Sequence, residues 1–80
     1  MDPPKIKYLD NSSIMVINNY GKLRQLFVPF RVQVVHATPT LVKDVWVYVE
    51  EVREHEKYLL LYRIANSWWP YYVFRLHVDF

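Results

Sequence analysis

Residues 45–52 read Val-Trp-Val-Tyr-Val-Glu-Glu-Val, the strongest strand signal in the chain. β-branched and aromatic residues favour strands, and successive side chains of a strand point to opposite faces. The valines before Glu50 therefore share one face, and Trp46 and Tyr48 share the other. A strand that is apolar on both faces is usually covered on both faces. The stretch therefore predicts a core strand whose second face is covered by another part of this chain, a second copy or a different molecule.

The same stretch leaves two local alternatives open. Val45, Val49 and Val52 also recur at helical spacing, so the alternative is an α+β fold with a helix over residues 40–56. In a strand, Val52 has the wrong parity to continue the valine face. A β-bulge at residues 50–51 would restore the phase.

Three further stretches, residues 31–36, 58–64 and 71–76, alternate in the manner of strands. Arginine is rarely buried without a partner, so the faces that carry Arg63 and Arg75 are expected to point outward. The opposite faces, together with one face of the stretch quoted above, form the predicted core. Its other members are Val32, Val34, Leu60, Tyr62, Ile64, Tyr72, Phe74 and Leu76.

The N-terminal third is predicted to form a β-hairpin. Residues 1–5 contain two prolines and are expected to be a mobile tail, followed by a single domain of residues 6–80. Two short apolar runs, residues 14–17 and 22–27, flank a turn rich in Asn and Gly. These strands offer apolar side chains that can cover the outer face of residues 45–76.

The chain is therefore predicted to be mainly β, a small antiparallel barrel or sandwich of about five to six short strands with an N-terminal β-hairpin. From residue 31 onward, the order is strand, long loop, strand, charged hairpin, strand, tight turn and strand. This layout resembles the SH3-like barrels. The resemblance concerns architecture alone, and a fold does not fix a function.

Length and composition limit the class of protein further. The 80 residues suffice for one domain with a small core, which makes oligomerisation plausible. The chain has no cysteine, hence no disulfide framework and no thiolate chemistry. No apolar leader is visible, and the longest apolar run, residues 68–74, is far too short to span a membrane. We therefore expect a cytoplasmic protein with no membrane partner.

The outer faces of the predicted strands stay apolar and carry arginine at their rim. Exposed apolar patches mark interaction sites, and Trp, Tyr and Arg dominate the energetics of protein interfaces. We therefore predict a non-enzymatic interaction module that binds protein and self-associates as a homodimer. The predicted partner-binding residues are Trp46, Tyr48, Leu59, Leu61, Arg63, Trp68, Trp69, Tyr71, Val73 and Arg75.

The distribution of charge supports an alternative function. The net charge is only +2, but residues 1–43 carry six Lys or Arg against two Asp. Basic residues beside exposed aromatic rings are typical of nucleic-acid-binding modules, although dedicated modules are commonly more basic. The predicted nucleic-acid contacts are Lys5, Lys7, Lys22, Arg24, Arg31 and Lys43.

No sequence motif points to catalysis or to a metal. The histidines at 36, 55 and 77 are widely spaced, whereas zinc sites favour close pairs of ligands. A single glycine leaves no Gly-rich phosphate loop. The carboxylates around His55 lie in a polar turn, which lacks the desolvation that acid–base catalysis uses. We therefore predict no enzyme activity, no metal and no cofactor.

Overall fold

A computed structural model of the protein describes residues 4–78, and within them the chain is mainly β. One short 3₁₀ helix, Tyr71–Val73, lies between the last two strands. The strands of this described part are β1 Lys5–Asp10, β2 Ser13–Ile17, β3 Leu23–Phe27, β4 Phe30–Val34, β5 Trp46–Val49, β6 Glu51–His55, β7 Leu59–Ile64, β8 Ser67–Pro70 and β9 Phe74–Arg75.

The strands form three antiparallel sheets of three strands each, in the orders β1-β2-β3, β5-β4-β9 and β6-β7-β8. The prediction of a mainly β chain is confirmed, and across residues 4–78 the sheets do not close into one barrel. The alternative helix over residues 40–56 is wrong, because β5 and β6 occupy that stretch. The predicted tail lies outside the described residues except for Pro4 and Lys5, and Lys5 already belongs to β1.

Residues 46–55 fold as two strands, β5 and β6, which are interrupted at Glu50. Val47 and Val49 turn inward, whereas Trp46 and Tyr48 are exposed. The backbone N–H of Glu50 donates to the carbonyl of Arg63 at 2.9 Å, so the break stays tied to β7. After the break, Val52 is fully buried on the same side as Val49. The interruption at Glu50 thus restores the phase, as the bulge prediction required.

The core prediction fails at two places, the start of the valine face and the 3₁₀ helix. Val45 is 45% exposed and Val47 is half-buried, so only Val49 of that face is fully buried. The other predicted core residues are buried apart from Tyr72, which is exposed. Conversely, Val73 was predicted to face outward and is buried, and Tyr71 packs half-buried against the core. A 3₁₀ helix repeats every three residues rather than every two, so the alternation assumed from 71 onward fails there. Phe74 returns to strand geometry and is buried as predicted.

The N-terminal sheet adds to the core through one of its faces. Ile14 and Val16 on β2 are fully buried, and both β1 and β2 contact β6. The backbone N–H of Val52 donates to the carbonyl of Asn11 at 2.9 Å, which fixes the β1–β2 turn to β6. On β3, by contrast, Leu23 and Phe27 remain exposed. The N-terminal sheet therefore packs through β2 into the core and does not cover the outer face of residues 45–76, where Trp46, Tyr48 and Leu59 stay exposed.

Local hydrogen bonds build the two turns of the N-terminal sheet. One carboxylate oxygen of Asp10 accepts hydrogen bonds from the backbone N–H and hydroxyl of Ser12 and from the hydroxyl of Ser13. These bonds hold the pKa of Asp10 below its usual range, with the backbone N–H of Ser12 making the largest contribution. In the next turn, the side-chain oxygen of Asn18 accepts from two backbone N–H groups. Gly21 has a φ of 80°, a conformation that favours glycine.

Candidate functional site

One face of the β5-β4-β9 sheet gathers exposed aromatic and cationic side chains. On each strand, every second residue enters the core, which leaves the intervening ones facing outward. The pairing of β4 with β5 then sets Arg31 opposite Tyr48 and Gln33 opposite Trp46, and β9 sets Arg75 on the other side of Gln33. We call the following set the aromatic platform: Arg31, Gln33, Trp46, Tyr48, Arg75 and His77.

Contacts within the aromatic platform hold its side chains in place. The guanidinium carbon of Arg31 lies 4.7 Å from the centre of the Trp46 ring. The His77 ring lies 4.7 Å from that of Trp46, tilted by 49°. Nε2 of His77 is 2.9 Å from the side-chain oxygen of Gln33, whose amide nitrogen donates to the carbonyl of Asp44 at 3.1 Å. These contacts restrain the rings of Trp46 and His77 and the guanidinium of Arg31, which lowers the entropic cost of binding a ligand there.

The positive charge of the platform is not neutralised locally. Among residues 4–78, neither Arg31 nor Arg75 has a carboxylate within 4.0 Å, and the ion pairs in this range both involve Arg63. β4, β5 and β9 present no carboxylate and no aliphatic side chain on this outward face. The face therefore offers rings and cations, and it attracts anionic ligands that can stack.

The outer face of the β6-β7-β8 sheet also combines arginine and tryptophan, since the guanidinium carbon of Arg53 lies 4.5 Å from the centre of the Trp68 ring. It differs from the platform in its acidic side chains. Arg63 pairs with Glu51 at 3.3 Å and with Glu50 at 4.0 Å. The positive charge of Arg63 is thus neutralised within this face, which makes it the weaker candidate for an anionic ligand.

The structure divides the predicted partner-binding residues among several surfaces. Trp46, Tyr48 and Arg75 belong to the aromatic platform. The others do not form one continuous outer face. The outer side of the β6-β7-β8 sheet carries Leu61, Arg63 and Trp68, and the β6–β7 turn exposes Leu59. The core is contacted by Trp69 and Tyr71, and it contains Val73.

The predicted nucleic-acid contacts are divided in the same way. Arg31 belongs to the platform, and Lys5 and Lys7 line a cleft beside it. The remaining three, Lys22, Arg24 and Lys43, are exposed elsewhere. Sequence reasoning missed Gln33 and His77. The outward parity of Gln33 was visible, but its position beside Trp46 depends on the pairing of β4 with β5.

The cleft beside the platform has a volume of about 1050 Å³. Residues 4–7 and 18–20 form one side and most of residues 71–78 the other, and Arg75 and His77 belong to both the cleft and the platform. Within the described chain, no Asp or Glu lines it. A second cavity of about 640 Å³ adjoins it and is lined by Glu54 and Glu56 among others. Lys7 lines both cavities, so the basic cleft meets the two carboxylates at this residue.

Other polar side chains of the molecule serve structural roles. Nδ1 of His55 accepts hydrogen bonds from the backbone N–H groups of Lys57 and Tyr58 and so closes the β6–β7 turn. Within residues 4–78, no three His, Asp or Glu side chains are grouped so that they could hold a metal ion. The same part of the chain has no helix long and apolar enough to cross a membrane.

Comparisons of the chain with protein-family models, with curated proteins and with solved structures find no match. The geometry of the aromatic platform and the cleft beside it is therefore the basis for a proposed function.

Proposed function

We propose that the protein is a non-enzymatic module that binds single-stranded nucleic acid on the aromatic platform. The observation that carries the proposal is the exposure of three aromatic rings and two arginines without ion-pair partners on one sheet face of the described chain. Proteins that bind single strands combine stacking rings with cations that follow the backbone. Arginine beside a ring adds a cation–π contribution.

The charge of the platform favours nucleic acid over a protein partner. Trp, Tyr and Arg are enriched in both kinds of interface, but the centre of a protein interface is otherwise apolar. β4, β5 and β9 instead present arginine, glutamine and aromatic side chains outward, with no aliphatic residue among them. The exposed amide and imidazole groups of Gln33 and His77 add hydrogen-bonding capacity suited to bases.

The spacing of the rings suits two neighbouring bases. Trp46 and Tyr48 are two residues apart on β5, which places their Cα atoms roughly 7 Å apart along the strand. Arg31 is the cross-strand neighbour of Tyr48, and its guanidinium lies over the Trp46 ring, 4.7 Å from the ring centre. If two neighbouring bases stack on these rings, the phosphate that connects them lies near the guanidinium of Arg31.

Replacing Trp46 with alanine tests this proposal. Loss of one stacking ring costs about 1–3 kcal/mol per base, so we expect affinity for a short oligothymidylate to fall about 5- to 150-fold. Fluorescence anisotropy with a labelled oligonucleotide measures the change. Binding of the wild-type protein should weaken as salt rises, because phosphate neutralisation releases counterions.

Trp68→Ala is the matched control. Trp68 lies on the outer face of the other sheet, against Arg53, so its loss should leave the affinity within about twofold. Equal losses in the two variants would mean that Trp46 has no special role. Absence of binding at low salt, or an affinity that does not change with salt, would refute the proposed function.

Self-association is a second candidate, and one observation favours a particular surface for it. β3 is an edge strand of its sheet, and Leu23 and Phe27 are exposed on it. Exposed apolar edge strands are prone to pair with another chain. An antiparallel pairing of β3 with its counterpart in a second copy would give a two-fold symmetric homodimer. This surface differs from the outer face of residues 45–76 that the sequence predicted.

Two leucines of equal exposure distinguish these surfaces. Leu23 on β3 is 62% exposed and Leu59 at the β6–β7 turn is 63% exposed. We expect Leu23→Glu to reduce the mass measured by light scattering from twice 9.8 kDa to 9.8 kDa, and Leu59→Glu to leave it unchanged. The reverse result would place the dimer interface on the β7 side, and a monomeric wild-type protein would remove this candidate.

The finer fold class and the cellular setting are also proposals. An SH3-like arrangement of residues 30–76 is supported by the path of the chain: β5 continues past Glu50 into β6, and β9 returns beside β4 after the 3₁₀ helix. The non-enzymatic role is supported by the structural engagement of His55 in its turn. The absence of cysteine is compatible with a cytoplasmic location.

A further inference from the structure

We infer that the cleft between β1 and residues 71–78 extends the binding track, so that the backbone of a longer strand passes from the platform to Lys5 and Lys7. This inference rests on the proposed function. It assigns the cleft a ligand class, a polyanionic strand, and it gives the track a direction across the molecule.

Continuity is the first argument. Arg75 and His77 belong to the platform and also line the cleft, and the His77 ring lies 4.7 Å from that of Trp46, so the two surfaces are contiguous. The cleft volume of about 1050 Å³ is larger than a single side chain or small ion requires.

Charge is the second argument. Lys5, Lys7 and Arg75 all line the cleft, and none of the lining residues in the described chain is acidic. A concave surface lined by one sign of charge concentrates the electrostatic field and selects ligands of the opposite sign. The adjoining cavity contains Glu54 and Glu56, which would repel phosphates. The track is therefore expected to end near Lys7.

Aromatic side chains on the cleft walls are the third argument. Tyr72 is exposed and its ring centre lies 6.0 Å from that of Tyr71 and 6.3 Å from that of Tyr58. Tyr20, on the opposite wall, is 87% exposed, on a turn that Asn18 fixes by its side-chain hydrogen bonds. The cleft thus shares rings and cations with the platform, and unlike the platform it also has aliphatic lining residues, among them Ile6, Val35 and Leu76.

Oligonucleotide length separates the cleft from the platform in an experiment. Anisotropy titrations with oligothymidylates of about 4 and about 12 nucleotides are made on the wild-type protein and on Lys5→Gln/Lys7→Gln. We expect the variant to lose affinity for the long strand by on the order of tenfold and to bind the short strand like the wild type. A long strand binds any site more tightly than a short one because it offers more positions at which it can bind. Comparing the variant with the wild-type protein at each strand length removes this statistical effect.

The salt dependence gives an independent readout. Each phosphate contact on a single strand contributes about 0.7 to the slope of log affinity against log salt, so two lysines contribute about 1.4. Between about 50 and 200 mM salt, that difference amounts to about sevenfold in affinity. The slope for the long strand should therefore fall by about 1.4 in the variant, and the slope for the short strand should not change.

A double variant with the same loss of charge is the control. Lys22→Gln/Lys43→Gln removes two lysines that do not line the cleft. We expect it to have no length-dependent effect. If it matches Lys5→Gln/Lys7→Gln, the effect comes from overall charge and the cleft has no part in it.

The outcomes distinguish this inference from the proposed function. Normal binding of both lengths by Lys5→Gln/Lys7→Gln would overturn the cleft assignment and leave the platform standing. Failure of the wild-type protein to bind either length would overturn both. A polyglutamate peptide that binds the wild-type protein but not this variant, while long and short strands bind the two proteins alike, would assign the cleft to an acidic peptide instead.

Discussion

Ile14→Ala is expected to lower the free energy of unfolding by about 2–5 kcal/mol. Ile14 is fully buried on β2, where it pairs with Tyr8 and Leu26 and belongs to the core that β6 and β7 complete. The substitution removes three carbon atoms and leaves a cavity between the N-terminal sheet and the rest of the chain. Because a domain of this size is only marginally stable, the loss should appear as a large shift of the urea midpoint.

Leu9→Ala provides the comparison for this prediction. Leu9 lies on the neighbouring strand β1 of the same sheet but is exposed, so its truncation should change stability by no more than about 0.5 kcal/mol. If Ile14→Ala is equally mild, the N-terminal sheet does not share the core. A separate early unfolding transition in the variant would show that the sheet has detached while the remaining strands stay folded.

The sequence predicts the strands well where every second residue faces the core. Val32, Val34, Leu60 and Ile64 have that pattern and are all buried. The pattern fails at Tyr72 and Val73, since three residues of 3₁₀ helix interrupt the alternation. The path of the chain toward β9, which pairs with β4 some forty positions earlier, is a tertiary constraint that local periodicity does not contain.

The platform was predictable only in part for a related reason. The alternation of residues 45–49 puts Trp46 and Tyr48 on one face, but it leaves open which face points outward, and the structure exposes these two rings. Their proximity to Arg31 depends on the register of β4 against β5, and strand register is a long-range property. His77 follows the last strand and reaches Trp46 by the path of the backbone after β9, which no residue pattern indicates.

Substitutions of Tyr62 are expected to change stability in opposite directions. Tyr62 is 1% exposed, and its ring contacts Phe30 edge-on at 5.6 Å and Phe74 at 6.0 Å. Removing the ring in Tyr62→Ala should cost about 3–5 kcal/mol. Its hydroxyl, however, is buried and has no hydrogen-bond partner among residues 4–78. An unsatisfied buried polar group costs about 1–3 kcal/mol, so Tyr62→Phe should raise the free energy of unfolding by about 1 kcal/mol.

The exposed Tyr48 supplies the control for the hydroxyl. Tyr48→Phe removes the same atom from a solvated position and should change stability by less than about 0.5 kcal/mol. Urea titrations of the wild-type protein and the two variants at neutral pH measure these differences. A clear loss of stability in Tyr62→Phe would mean that the hydroxyl has a favourable partner.

Alkaline pH should enlarge the advantage of Tyr62→Phe. Burial, with a smaller contribution from Tyr71, raises the pKa of Tyr62 well above its usual value near 10. Above about pH 10 the unfolded chain releases this proton and the folded chain retains it, so unfolding becomes easier by about 1.4 kcal/mol per pH unit. The stability contributed by the neutral phenol is thus complete below about pH 10 and is lost above it. The Tyr62→Phe variant lacks the phenol, so its gain in unfolding free energy over the wild-type protein should be about 1.4 kcal/mol larger near pH 11 than near pH 8. A gain that is the same at both pH values would show that water reaches the phenol of Tyr62 in the folded state.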